Sequence, residues 1–246
     1  MIDINFDFTT DTPQFWDSYW NKDNLLGYSS HDPDIESKTL QLYQKLLYSK
    51  QLPNGSYMRL TEGVGANYLT WDNFRFGSDV IITSFRFVRN RNMIEQVANA
   101  IDDWHSYIEG YMRKSYTIGG EIIFPKMRGS INQSRGCNPY IKDRWDLTLE
   151  CIRRFYRNEN SPLYDTLIRN KQFFDLFVDF KGYVDFFYLQ DCVSADYNSV
   201  NFWLGDGNFE INPLPKTVTD YLTYIENELI FVENRNNRIK FSKSLI

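Results

Sequence analysis

Two arginines, Arg135 and Arg144, belong to a polar stretch in the middle of the chain. It also holds Asn132, Gln133, Ser134 and Gly136, and it ends at Lys142-Asp143. A strand is expected to end at Pro125 before this stretch, and a helix to begin at Asp143-Arg144 after it. The first turn of a helix leaves backbone N–H groups without partners and carries a partial positive charge, which suits an anion. A guanidinium beside it can grip a phosphate or carboxylate through two parallel hydrogen bonds. Asn132, Gln133, Arg135, Asp143, Arg144 and Arg154 are therefore the candidate ligand-binding residues. The competing reading pairs Arg135 and Arg144 with acids inside the fold, and treats Arg153 and Arg154 likewise. Two acids are candidates for proton chemistry. Asp185 lies among Tyr183, Val184, Phe186 and Phe187, and a carboxyl buried there must find a partner or keep its proton. It reads as a general acid or base, or as half of a buried ion pair with an arginine such as Arg154. Asp191 is the second candidate, expected nearer to water.

Other chemistries have little support. His31 and His105 are the only histidines, and neither lies in the frame of a nucleophile–histidine arrangement. No phosphate-loop or dinucleotide motif occurs. The nearest glycine-rich piece, Glu62-Gly63-Val64-Gly65, lacks the following lysine and helix and reads as a hairpin turn. The cysteines are three, Cys137, Cys151 and Cys192, with no CxxC spacing. That argues against a disulfide scaffold and against a zinc site. No metal is expected, and no cofactor is identified.

The net charge of −5 disfavours general nucleic-acid binding. The charge is uneven. Lys126–Arg157 holds eight basic and three acidic residues, a local +5, whereas residues 160–234 hold twelve acids and four bases, a local −8. The two segments either pair with each other or leave the basic one facing an anionic ligand. Aromatic residues make up 17% of the chain. They predict a thick core, the alternative being a surface that stacks bases or sugars. The start, MIDINFDFTTD, lacks the basic and apolar regions of a signal peptide. No apolar run nears the roughly 18 residues of a membrane span, so the expected setting is the cytoplasm.

The elements that must position these residues follow from periodicity. Ile2–Phe8 alternates as a strand does. Thr12-Pro13 opens a short helix to Trp20. Asp34 caps a helix over Ile35–Ser49. Pro53-Asn54-Gly55 is a turn. Strands are expected at Tyr57–Leu60, Asn67–Trp71, Asp79–Arg86 and Tyr116–Pro125, the last with a glycine pair inside it. Asn92–Lys114 has the three-and-four spacing of one long helix. Lys126–Tyr140 reads as loop, and Asp143–Tyr156 and Ser161–Phe177 as helices. Gly182–Asp191 is apolar almost all round, Ser199–Leu204 reads as a strand, and Thr217–Asn234 as an amphipathic helix. Strands gather in the first half and helices in the second. The fold class is therefore α+β, with short, mostly antiparallel strands and a helix-rich second half packed on the sheet. No linker or repeat divides the chain, so residues 1–246 are expected to form one domain.

Two resemblances attach to particular strings. Tyr116–Gly120, Asn132 and Lys142-Asp143-Arg144 are similar to the second half of the HNH-type ββα nuclease motif. That family needs a histidine near the strand, and none follows His105. The resemblance thus implies a degenerate nucleic-acid-binding domain. YTIGGEIIFP, Asp143–Tyr156, Phe173–Asp191, Asp32-Pro33-Asp34 and Leu46–Gly55 resemble a bacterial family whose function is unknown. That likeness spans nearly the whole chain and implies one intact intracellular domain, with no activity attached. The expected function is binding or processing of a nucleotide-like or other phosphorylated anion at the arginine-bearing loop and helix. The alternative is a non-enzymatic protein-interaction module with structural arginines.

Overall fold

A computed structural model describes residues 2–12, 14–20, 25, 27, 29–63, 69–81, 91–126 and 130–243. Ile2–Phe8 is not a strand. Ile4 and Phe8 are buried as the alternation requires. The Phe8 amide bonds to the Tyr116 carbonyl at 2.9 Å, however, and a 3-10 turn follows over Phe8–Asp11. Burial of alternate side chains satisfied the pattern without a partner strand. After α1 (Phe15–Tyr19), the helix expected from Ile35 divides in two. Asp32 caps α2 (Pro33–Glu36), and Ser37 caps α3 (Lys38–Tyr48). With Asp32 as the cap, the Asp34 carboxyl is released for another role.

The Pro53-Asn54-Gly55 turn forms, with Gly55 at a φ of 87° that favours glycine. Tyr57 makes one bridge to Gln51 in place of the expected strand. The sheet is an antiparallel meander of β1 (Thr61–Glu62), β2 (Leu69–Trp71) and β3 (Phe74–Val80). The strand expected over Asp79–Arg86 thus lies earlier in the chain. Its part beyond Ile81, the start of the strand expected at Asn67, the Val64-Gly65 piece and Arg128 lie outside the described residues.

Instead of one helix over Asn92–Lys114 there are α4 (Arg91–Asn99) and α5 (Trp104–Ser115). Asp103 makes the break. Its carboxylate takes the Ser106 amide and hydroxyl, a cap that competes with helix continuation. Tyr116–Pro125 is a strand only in its second half. Ile118–Gly120 is a 3-10 turn, and β4 (Glu121–Pro125) pairs with β3 from Val80↔Glu121 to Phe76↔Pro125. Gly119 permits close approach of the C-terminal helix, and Gly120 of Ser115. A Cβ on Gly119 would lie 2.4 Å from the Val232 carbonyl oxygen.

The expected loop after Lys126 contains α6 (Ile131–Cys137), capped by Ser130. Then come α7 (Trp145–Tyr156), α8 (Tyr164–Arg169), α9 (Lys171–Asp175), α10 (Phe180–Phe186) and α11 (Val218–Lys243). Ser161–Phe177 is thus two short helices, and Ser199–Leu204 is reduced to one bridge at Val200. The first-half sheet and helix-rich second half make the fold α+β. The ββα unit implied by the HNH resemblance is not formed, because Tyr116–Gly120 leaves a helix and turns.

β4 is buried along its whole length. Against Phe76 of β3, Phe173, Phe174, Phe177, Tyr183 and Phe187 form an aromatic cluster with neighbouring ring centroids 4.9–5.7 Å apart. Such pairs add about 0.5–1.5 kcal/mol each beyond area burial. Among the described residues, no helix is long and apolar enough to cross a membrane.

Candidate functional site

α6 turns its arginine inward. Arg135 has no solvent exposure. Its Nε donates to Thr148 Oγ1 at 3.1 Å, and Nη1 donates to the Asp79 carboxylate. Nη2 donates to the carbonyls of Ile81 at 3.2 Å and Asp143 at 3.1 Å. The Asp143 carboxylate lies 3.4 Å away. Lys142 and Asp143, at φ of 46° and 63°, form the left-handed turn that brings Asp143 back onto this guanidinium. Such a pair of residues stores on the order of 1 kcal/mol each. Asn132 Nδ2 donates to the Ser78 carbonyl at 3.3 Å. Gln133 is exposed, and its amide is taken by the Ser130 cap.

Arg135 and Asn132 thus land on Ser78-Asp79 of β3, and two further carboxyls meet there. Gln44 Nε2 donates to Ser78 Oγ at 2.7 Å, which donates to Glu121 Oε2 at 3.0 Å. Glu121 Oε1 and Asp34 Oδ1 are buried and receive no donor from any neighbour. Two carboxyls so close in a buried site oppose each other's ionisation, which favours a proton on Glu121. Burial is the main cause and raises both. Glu121 lies well above the usual range, with the Asp34 charge adding to the rise. Asp34 is pulled back by Glu121, Ser78, the Val80 amide and the Lys126 charge. Burial likewise pushes Asp79 up to about 8, against Arg135 and helped by Asp143 and Asp34. Asp143 is raised by burial and opposed by Arg135. Glu121 is fully buried. Asp34 is half-buried, and the Asp79 and Asp143 side chains keep 21% and 17% exposure. Asp79 and Asp143 therefore connect the cluster to solvent.

A carboxyl raised in the fold contributes stability that is fully present below its unfolded value near 4 and is lost as pH rises through its folded value. The window here opens near pH 4 and extends through about 8, set by Asp79, and beyond it for Glu121. The expected result is a Tm that falls by on the order of 5–10 °C between pH 6 and pH 9. Glu121→Gln replaces the protonated acid by a neutral amide and is expected to flatten that fall. Scanning calorimetry across the window checks both. A Tm that rises with pH sinks the proton on Glu121.

The other expected site residues lie elsewhere. Arg144 is 4% exposed. It binds Asp146 and the carbonyls of Pro213 and Leu204. Arg154 Nε donates to Glu150 at 2.8 Å, its guanidinium lies over the Phe209 ring, and its side chain is 33% exposed. Asp185 is not buried among its aromatic neighbours and is not paired with Arg154. It sits at the helix surface, bonded to Lys181, Tyr197 and Gln190. Against residual burial, these donors hold it below the usual carboxylate range, so it stays ionised. The helical turn points residue 185 outward while Tyr183, Val184 and Phe186 go in. Asp191 takes two hydrogen bonds from Arg238. His31 is held by Glu36 and His105 packs on Trp20. Among the described residues, no group of three His, Cys, Asp or Glu is placed to hold a metal ion.

Sequence reasoning missed Asp34, Gln44, Ser78, Asp79 and Glu121. One signal was present for Glu121, a lone acid in the apolar run Gly120–Phe124. The same signal at Asp185 misled, because a helix has an outer face there and the fully buried β4 has none.

No curated protein and no solved structure matches the chain. A family model described as a family of unknown function, DUF6994, matches residues 2–239. Covering nearly the whole length, that match assigns this chain to the DUF6994 family.

Proposed function

We propose that this chain is a small-ligand-binding protein that exchanges a proton with its ligand through the Asp34–Glu121 pair. One observation carries the reading: fully buried Glu121 and neighbouring Asp34 each keep a buried carboxyl oxygen that takes no donor, and burial raises both. A carboxyl loaded with a proton near neutral pH is suited to general acid–base work. Asn132, Arg135 and Asp143 then serve as the frame of this site. The ligand class follows from the balance of donors and acceptors. Asp79 and Asp143 keep 21% and 17% of their side-chain surface exposed, whereas the Arg135 donors are used internally. A ligand bearing amine or hydroxyl donors is favoured over a nucleotide-like or other phosphorylated anion.

The test is a thermal-shift screen of wild type and Asp34→Asn. Its arms are polyamines and amino sugars, neutral sugars, and nucleotides with sugar phosphates. A ligand at a hundred times its Kd stabilises by about 2.7 kcal/mol, or roughly 5–10 °C for a chain of this size. The expected result is such a shift in one of the first two arms, lost in Asp34→Asn. Shifts confined to the phosphorylated arm, equal in both proteins, refute the reading.

A second reading, a non-enzymatic interaction module with structural arginines, is favoured by the burial of Arg135 and Arg144 against internal partners. A screen flat in all arms selects it.

A further inference from the structure

A groove of about 830 Å³ runs between α5 and α11, away from the carboxylate cluster, with Ile4, Asn5 and Asp7 also lining it. The two helices run in the same sense. The Glu226 charge acts on Tyr107. Further along, the Tyr111 hydroxyl donates to Glu228 at 2.9 Å and Asn236 Nδ2 donates to Thr117 Oγ1 at 2.8 Å. The α11 wall is apolar, with Leu222, Ile225, Leu229 and Val232 at the spacing of one helix face. Ile230 on its rim is 48% exposed. On the α5 wall, Gly110 lies one turn from both Tyr107 and Lys114, on their face, and a Cβ there would meet nothing within 4 Å. A glycine inside a helix costs about 1 kcal/mol relative to alanine. No close packing requires this one, and it keeps the wall low.

The two walls carry opposite charges. Lys114 stands on α5. Glu226 and Glu233 stand on α11, seven residues and two turns apart on one flank. All three are exposed, and among the described residues none of them makes an ion pair. Arg113, also on the groove, is already held by Asp7 at 2.8 Å and lies over Trp16.

We propose that this groove docks an amphipathic helix of a partner protein, apolar on the face that enters and basic along the flank that meets Glu226 and Glu233. An acyl chain brings one charge at one end. Here the charges stand along the sides, and the two-turn spacing of the acids matches the repeat of a helix flank. Leu222 to Asn236 spans about 22 Å of α11, the length of roughly fifteen helical residues.

The probe is a fluorescein-labelled helical peptide of about fifteen residues, with leucines at i, i+3, i+4 and i+7 spacing and lysines on one flank. A control peptide carries glutamates at the lysine positions. Fluorescence anisotropy with the full chain is expected to give saturable binding of the lysine peptide, at least tenfold tighter than the control. Glu226→Lys/Glu233→Lys changes two exposed residues and is expected to reverse that preference. Gly110→Leu adds a side chain whose Cβ meets nothing within 4 Å and is expected to weaken both peptides at an unchanged or higher Tm. Equal affinity for the two peptides, or binding indifferent to these substitutions, overturns the proposal. So does a chain that sediments as a dimer and is made monomeric by Gly110→Leu, because a second copy then fills the groove.

Discussion

Arg235→Met is expected to cost about 3–5 kcal/mol of folding stability. Arg235 lies on α11 with no exposure. Its Nε donates to the Phe187 carbonyl at 3.0 Å. Nη1 donates to the carbonyls of Ile118, Gly119 and Glu121, at 3.3, 2.8 and 2.8 Å. Nη2 donates to the Tyr48 hydroxyl at 2.9 Å. One guanidinium therefore ties α11 to α3, to the turn before β4 and to the end of α10. Methionine fills much of the space and offers no donor. Each buried acceptor left without one costs about 1–3 kcal/mol, and relaxation of the surroundings reduces the sum. Arg235→Lys is expected to recover little, because an ammonium lacks the planar fork that reaches four carbonyls. Urea unfolding followed by circular dichroism measures the loss. A loss below about 1 kcal/mol means that water replaces these bonds and that α11 is held by its apolar face alone.

Arg144→Ala is expected to cost a similar 3–5 kcal/mol, the range for breaking a buried ion pair from one side. Arg144 and Asp146 flank the start of α7 and face each other through two hydrogen bonds. Asp146 has no exposure and also accepts the Trp203 amide at 2.9 Å. Arg144 reaches the carbonyls of Leu204 and Pro213 and lies over the Tyr224 ring. The pair fastens the Trp203–Pro213 segment to α7 and α11. Alanine leaves the Asp146 charge buried and uncompensated. Replacing both residues, as in Arg144→Met with Asp146→Leu, is expected to be less harmful than Arg144→Ala alone, because no orphan charge remains. A double-mutant cycle from urea unfolding reads the coupling. This result also separates the roles considered for the basic segment. An anion-gripping Arg144 would lose affinity and keep its stability, which is the opposite outcome.

Local pattern determined a good deal of this protein. The Pro53-Asn54-Gly55 turn, α7, α11 and the aromatic core follow from spacing and composition within short stretches. So does the α+β class, because strand-like and helix-like periods occupy different halves of the chain. Short-range side-chain competition explains several failures. Asp103 and Ser37 cap new helices where periodicity alone runs straight through. The site residues were decided by tertiary structure. Arg135 and Asp79 are separated by 56 positions, and Tyr48 and Arg235 by 187. Whether an arginine faces water or a buried carboxylate depends on which strand its helix covers. Residue types and spacing say nothing of that. Asp34 and Glu121 show the same limit. Asp34 is unremarkable as a helix-start acid, and the lone Glu121 in its apolar run signals burial but not its partner. Only the packing of α2 against the β3–β4 pair removes water from both, and that shared desolvation is what makes them hold a proton.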